Sequence, residues 1–293
     1  MKRIIVTGST GFIGKNLIIN LLNKKIIVYA ILKKSKKNTY LSKKLKKKFN
    51  NYRPVFFKNY EDLNKNFLKI KADTIINLAT YFVEKHQFKD IQKIIESNVL
   101  FCSTILELSC KIKIKKFINF GSVWQNFGGK KSNPSNFYAA SKEMFNKLID
   151  YYKNNYKKTK FYTIYLSNTY GNNDTRIKLL PTIIKNFLRN KTTHIRIKKL
   201  ELNIVHVNDV INGILILMKK NIKSSDFILV SKKNIKIHSF IKKINIQLKK
   251  EIKIRWLNEK LIKPKYLKMK NIPGWKQMFN VEKEVINYLN ENK

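Results

Sequence analysis

Of 293 residues only two are cysteine, five are proline and nine are glycine, and 18 acidic side chains stand against 62 lysines and arginines. Each scarcity excludes something. Cys102 and Cys110 lie in a stretch of helical spacing, about 12 Å apart along an axis that rises 1.5 Å per residue, too far for a disulfide. Two free, buried thiols are expected. No apolar run reaches the roughly 18 residues that a membrane span requires. Met1-Lys2-Arg3 leads straight into an apolar strand, without the pattern of a secretory leader. The expectation is a soluble, cytoplasmic chain with no membrane partner. With no Pro/Gly/Ser-rich linker and no internal repeat, the chain reads as one large α/β unit and a smaller lobe sharing an interface, the ligand lying between them.

The shortage of acid leaves a formal charge of +44, which attracts anions at low salt. Lysines nevertheless occur nearly everywhere outside the apolar strands and travel with abundant Ile and Asn, so nucleic acid is not expected as the main partner. The densest run, Lys43-Lys44-Leu45-Lys46-Lys47-Lys48, reads as a solvated helix face.

Apolar strand candidates recur at Ile4 to Val6, Ile26 to Leu32, Val55 to Phe57, Thr74 to Leu78, Lys116 to Phe120 and Phe161 to Leu166. Helical stretches separate them, notably Phe88 to Cys110 and Phe137 to Tyr156, which contain no Gly or Pro and read as continuous. This alternation predicts an α/β fold with a doubly wound, Rossmann-like parallel sheet. Beyond about Leu166 the segments shorten. The expected division is a dinucleotide-binding domain over 1–166 and a substrate-binding lobe over 167–293, with interleaving of the second into the sheet left open.

Three of the nine glycines fall in Gly8-Ser9-Thr10-Gly11-Phe12-Ile13-Gly14, directly behind Ile4-Ile5-Val6. A strand-to-helix turn of this kind permits close backbone approach to a pyrophosphate, whose charge the helix N-terminus favours. Further on, Tyr138 and Lys142 stand four apart and share a helical face, so the ammonium is expected to lower the phenol pKa and ready Tyr138 for proton transfer with a carbonyl or alcohol oxygen. Ser122, in Asn119-Phe120-Gly121-Ser122-Val123-Trp124, closes a strand at the sheet's C-terminal edge, where open α/β folds bind ligands. It is placed to hydrogen-bond the same oxygen.

Thr7-Gly8-Ser9-Thr10-Gly11-Phe12-Ile13-Gly14, with Ser122, Tyr138 and Lys142 in order, resembles the extended short-chain dehydrogenase/reductase family of nucleotide-sugar epimerases, dehydratases and 4-ketoreductases. The likeness runs from residue 4 to about 215. It implies catalytic roles for Ser122, Tyr138 and Lys142, and a cofactor site of Gly8, Thr10, Gly11, Phe12, Ile13, Gly14, Lys33, Leu78, Ala79, Thr80, Asn98, Tyr138 and Lys142. Asp73-Thr74-Ile75-Ile76-Asn77-Leu78-Ala79-Thr80 is similar to the family's nicotinamide-lining segment, and Ser167-Asn168-Thr169-Tyr170-Gly171 to the segment whose asparagine contacts the substrate diphosphate. Tyr81, Trp124, Asn168 and Arg176 are the implied substrate contacts. No metal is expected. A late segment, Ile204-Val205-His206-Val207-Asn208-Asp209-Val210, is also similar, and His206 within it reads as a satisfied core histidine.

Sugar-nucleotide dehydratases of this family need carboxylates directly after the catalytic serine or threonine. Here Val123 and Trp124 stand there, which leaves a ketoreductase or a 4-epimerase with tightly bound NAD. The second strand ends Ala30-Ile31-Leu32-Lys33-Lys34-Ser35 without the carboxylate that bonds a ribose 2′-hydroxyl, so NADP is favoured over NAD. Gly121-Ser122-Val123-Trp124-Gln125, Asn133-Pro134-Ser135-Asn136-Phe137-Tyr138 and Pro273-Gly274-Trp275 are similar to the branch of CDP-abequose and CDP-paratose synthases, NADPH-dependent 4-ketoreductases. The implied activity is reduction of a CDP- or dTDP-4-keto-6-deoxyhexose in surface-polysaccharide (O-antigen) sugar synthesis, by a homodimer. A non-catalytic Rossmann-like or RNA-binding protein is the contrasting class. Two arginines common in the family are replaced by Tyr165 and Leu202, so diphosphate binding must use other cations, with Arg176, Lys178 and Arg196 as candidates.

Overall fold

The computed structural model describes residues 2–171, 174–257 and 265–292. Through Leu166 the order is β1 (Arg3–Thr7), α1 (Phe12–Asn23), β2 (Ile27–Lys33), α2 (Lys36–Lys48), β3 (Tyr52–Phe57), α3 (Tyr60–Phe67), β4 (Thr74–Asn77), α4 (Phe88–Ile95), α5 (Cys102–Lys111), β5 (Lys116–Ser122), α6 (Phe137–Asn155) and β6 (Lys160–Leu166). Then follow β7 (Asn168–Tyr170), α7 (Leu179–Leu188), β8 (Thr193–Ile195), β9 (Glu201–Leu202), β10 (Ile204–His206), α8 (Val207–Lys219), β11 (Ser225–Leu229), β12 (Ile235–Lys236), α9 (Ile237–Leu248), β13 (Ile254–Trp256) and α10 (Val281–Glu291).

Seven strands form one parallel sheet in the order β3-β2-β1-β4-β5-β6-β11. Both faces are covered, which is why the strands read as unbroken apolar runs. Ile4 and Val6 join a core with Leu17, Ile18 and Leu21 of α1 and Val210 and Ile214 of α8. Ile5 faces the opposite core with Leu106 of α5, Phe117, Phe145 of α6 and Phe161. Fully burying each such side chain stabilises the fold by about 1.5–3 kcal/mol. The strand order reverses between β1 and β4, so the loops after these two strands part there and leave a crevice at the C-terminal edge.

Two features of the sequence take a different local form. The run Phe88 to Lys111 stays helical but widens into a π-helical turn over Glu96–Phe101, between α4 and α5. The chain beyond Leu166 also returns to the sheet. Strand β11 pairs with β6 along its whole length, and α8 packs against α1. The remaining C-terminal elements build a separate core from α7, α9 and α10 through Ile183, Phe187, Phe240, Ile244, Val285 and Leu289.

Helix α2 carries the basic run with its lysines exposed, and Ser35 caps it by accepting from the Asn38 N–H at 3.1 Å. Cys102 and Cys110 are both buried and unpaired. Among the described residues no helix is long and apolar enough to cross a membrane.

Candidate active site

The glycine turn follows from steric necessity. Gly8 has φ +62°, and a Cβ there would sit 2.5 Å from the Leu78 carbonyl carbon, so glycine lets the turn after β1 rest on the loop after β4. A Cβ on Gly14 would sit 2.2 Å from the Gly8 carbonyl oxygen. Gly11 donates to that same oxygen at 3.0 Å and caps α1 without a side chain, so the first-turn N–H groups keep their bonding capacity. Ser9 Oγ is buried without a partner. Cradle, helix terminus and orphan hydroxyl together fit the pyrophosphate of a dinucleotide. Thr10, Phe12 and Ile13 are half-buried along the turn.

The facing loop, Leu78-Ala79-Thr80-Tyr81, is tied from two sides. Thr7 Oγ1 accepts from the Ala79 N–H at 3.2 Å while donating to Asn77 at 2.7 Å. From the π-helical turn, Asn98 accepts from the Thr80 hydroxyl and the Tyr81 N–H, and donates to the Tyr81 carbonyl and to Ser141 of α6, at 2.7–3.0 Å. These four bonds saturate the amide. Asn98 therefore acts by holding the loop. The widened turn is what brings its fully buried side chain inward.

Ser122 ends β5, buried, and its Oγ accepts from the Trp124 N–H at 3.3 Å. Tyr138 occupies the first turn of α6, whose N-cap Asn136 accepts from the Ala139 N–H at 2.8 Å. One turn on, Lys142 is buried at 2% exposure, with Cys102 as an electrostatic neighbour. The expected lowering of the Tyr138 pKa by Lys142 is not what this environment produces. Burial pushes the phenol up to about 12, against a smaller downward pull from its hydrogen bond with Thr80. Burial likewise holds Lys142 below its ordinary range. At neutral pH Tyr138 is thus a protonated phenol.

Around this centre the remaining implied residues are placed as follows. Phe82 packs edge-on against Tyr138 at 4.9 Å, and Lys178 Nζ lies 4.2 Å over the Phe82 ring, which sets a cation one ring away from the tyrosine. Arg176 stacks 4.1 Å over Phe12 while its guanidinium bonds both Asp174 oxygens at 2.7 Å and the Thr169 hydroxyl and carbonyl. Four of its five N–H donors are committed, so Arg176 braces the glycine turn. Trp124 stacks on Phe127, and the Tyr81 hydroxyl points to Asp90 at 3.5 Å. The Asn168 side chain donates to the Asn203 carbonyl at 3.4 Å. Lys33, exposed at the end of β2, reaches Glu96 at 3.5 Å, and Arg196 is exposed just past β8. His206 is buried between Tyr170 and Phe279, and burial lowers its pKa to about 4.

Three parts of the site had gone unread in the sequence. Phe82 and Asp174 carry no local signal. Gln125 does: Ser122-x-x-Gln125 has capping-box spacing, and Gln125 Oε1 accepts from the Ser122 N–H at 2.8 Å.

A glycine cradle that fits a dinucleotide pyrophosphate, a buried serine at the end of β5, and a tyrosine and a buried lysine one turn apart on α6 thus lie at one end of a doubly wound sheet. The chain belongs to the NAD dependent epimerase/dehydratase family, whose sequence model spans residues 4–230. The CDP-abequose synthase of Yersinia pseudotuberculosis is 29% identical over 221 residues, covering 75% of this chain and 74% of that protein. A dTDP-D-glucose 4,6-dehydratase of Dictyostelium discoideum is 30% identical over 245 residues, 75% of this chain and 56% of that one. In fold, the chain matches UDP-glucuronic acid 4-epimerase from Bacillus cereus, solved with UDP-glucuronic acid and NAD, at TM-score 0.81 and 20% identity over 99% of this chain and 100% of the other.

Proposed function

We propose that this protein is an NADPH-dependent reductase of the C4 ketone of a nucleotide-linked 4-keto-6-deoxyhexose, with CDP or dTDP as the nucleotide, serving surface-polysaccharide sugar synthesis. The observation that carries this reading is Ser122, Tyr138 and Lys142 following a glycine cradle in order, with Val123 and Trp124 rather than carboxylates directly after the serine. Tyr138 gives its proton to the C4 oxygen, Ser122 Oγ hydrogen-bonds that oxygen, and Lys142 holds the nicotinamide ribose. A bound dihydronicotinamide supplies the hydride that C4 receives. Solvent reprotonates the phenolate after the alcohol leaves. Val123 and Trp124 exchange no proton, and Glu143 is engaged by Gln125 and Ser132, so the positions directly after Ser122 supply no base for removal of a C5 proton.

The glycine turn and Ser9 receive the pyrophosphate, Leu78, Ala79 and Thr80 line the nicotinamide, and Lys33 meets the 2′-phosphate. Lys178 is the cation best placed for the substrate diphosphate, with Asn168, Trp124 and Tyr81 bounding the sugar nucleotide. A second copy of the chain is the proposed partner at an apolar face of α4, the π-helical turn and α6, where Ile91, Leu100, Met144, Leu148 and Tyr151 are exposed.

NADPH oxidation with CDP- and dTDP-4-keto-6-deoxy sugars tests the reading. Tyr138→Phe should slow turnover about 10²-fold or more with cofactor affinity unchanged, and equal rates would remove the tyrosine from the mechanism. Freshly purified protein that carries tight NAD and interconverts a sugar nucleotide without net cofactor consumption would identify a 4-epimerase instead.

A further inference from the structure

We infer that Gln125 and Glu143 form a positioning relay that fixes Ser122 relative to the helix bearing Tyr138 and Lys142. The inference rests on the proposed role of Ser122 at the C4 oxygen. Gln125 is fully buried, and its two amide ends face partners that cannot be exchanged. The Ser122 N–H can only donate, and it does so to Oε1 at 2.8 Å; the Glu143 carboxylate can only accept, and it takes Nε2 at 2.9 Å. One amide orientation satisfies both. Ser132 Oγ donates to the other Glu143 oxygen at 2.8 Å, which holds the carboxylate in place.

The relay adds a second side-chain link between the end of β5 and α6, beyond the Asn119–Asn146 bond at 3.4 Å and the Ser135 N–H bond to the Trp124 carbonyl at 3.0 Å. Gln125 follows the end of β5, whereas Glu143 adjoins Lys142 on α6. Its path is tightly shaped, because a Cβ on Gly121 would lie 2.7 Å from Gln125 Oε1. Ser122 Oγ accepts from the Trp124 N–H and, in the capping box, from the Gln125 N–H, so its own proton remains to be aimed at a ligand oxygen. The direction of that aim is set by the Ser122 backbone, and a displacement of about 1 Å in such a group can cost about 10²-fold in rate.

Reciprocal exchange tests the inference. In Gln125→Glu two carboxylates face each other, and kcat should fall about tenfold to a hundredfold, with the KM for the keto sugar and the cofactor Kd within about threefold of native. Adding Glu143→Gln restores the pattern with donor and acceptor swapped, and the double variant should recover to within about threefold. In a Ser122→Ala background, Gln125→Glu should cost less than about twofold more. Native kcat in Gln125→Glu, or a folded double variant no faster than it, overturns the relay. Amide exchange on serine-labelled protein stands apart from turnover: Ser122 should be at least about tenfold better protected in the native protein than in Gln125→Leu, and equal protection overturns the relay even if no keto sugar is reduced. Loss of native activity with that protection intact would instead remove the proposed function. Should Gln125→Glu fail to fold, Glu143→Gln alone, which weakens the acceptor, must lower kcat at unchanged KM, and a native kcat in it overturns the relay.

Discussion

Alanine at Gly14 should destabilise the protein and weaken cofactor binding about tenfold to a hundredfold, against the usual rule for helices. In a helix interior, alanine is normally favoured over glycine by about 1 kcal/mol. Here the new Cβ would lie 2.2 Å from the Gly8 carbonyl oxygen and 2.9 Å from the Ser9 Cα, both backbone atoms that cannot swing aside. Overpacking of this kind costs about 1–3 kcal/mol, so after the helix gain the net expectation is a loss of up to about 2 kcal/mol, or up to roughly 6 °C in melting temperature. Cofactor affinity should suffer more. Relief of the contact moves the turn off α1, and each charge-assisted bond lost to the pyrophosphate removes about 1.5–3 kcal/mol, an affinity loss on the order of tenfold to a hundredfold. Gly128→Ala is the control: it has open space around it but φ +68°, so it should lose about 1 kcal/mol of stability with cofactor affinity intact. Calorimetric titration of NADPH and NAD, with melting curves, reads both quantities. A Gly14→Ala protein that melts at or above native and binds cofactor as native would refute the reasoning.

Lys178→Ala should raise the KM for the nucleotide sugar about tenfold with little change in kcat, read by steady-state kinetics; an unchanged KM would take the diphosphate elsewhere. His206 is held neutral down to about 4 against an ordinary 6.5, so its contribution is complete above pH 6.5 and is lost as pH falls through 4, by at most about 3 kcal/mol. Melting curves from pH 7 to 4 should therefore fall more steeply for the native protein than for His206→Gln. Leu148→Lys should shift a dimer to monomer in light scattering, and an unchanged mass would move the interface off α6.

The doubly wound sheet was legible because its signals are local. Ile4-Ile5-Val6 ahead of three glycines fixes a strand, a turn and a helix within twenty residues, and each later strand repeats the theme. Strand β11 was not legible, since Ser225–Leu229 is short and follows a run of lysine and serine; only its pairing with β6 marks it as sheet. The positions proposed as catalytic rest on order and spacing in the sequence, whereas the sign of the Tyr138 shift could not be read from them. Helical spacing gives the neighbour, whereas burial is set by Phe82, the Thr80 loop and the packing of α6 on the sheet. The same applies to Arg176, whose guanidinium is taken up by Asp174 and Thr169, contacts that a basic residue in an irregular segment does not announce.

Tyr165 shows how a departure from the family pattern becomes intelligible once the packing is known. In place of an arginine it puts a buried phenol on β6, and its hydroxyl accepts from Asn146 Nδ2 at 2.7 Å. Asn146 in turn accepts from Asn119 at 3.4 Å, Asn119 from Asn77 at 3.2 Å, and Asn77 from the Thr7 hydroxyl at 2.7 Å. The chain crosses β1, β4 and β5 under the crevice and reaches α6 one turn beyond Lys142. Each of these bonds contributes about 1 kcal/mol net, but a buried amide left unpaired would cost about 1–3 kcal/mol, so the chain tolerates little slippage between strands. Thr7 at one end also orders Ala79 of the loop after β4, while Asn146 at the other sits on the helix of Tyr138. Tyr165 thus supplies the terminal acceptor of the network that links the loop after β4, the sheet and α6.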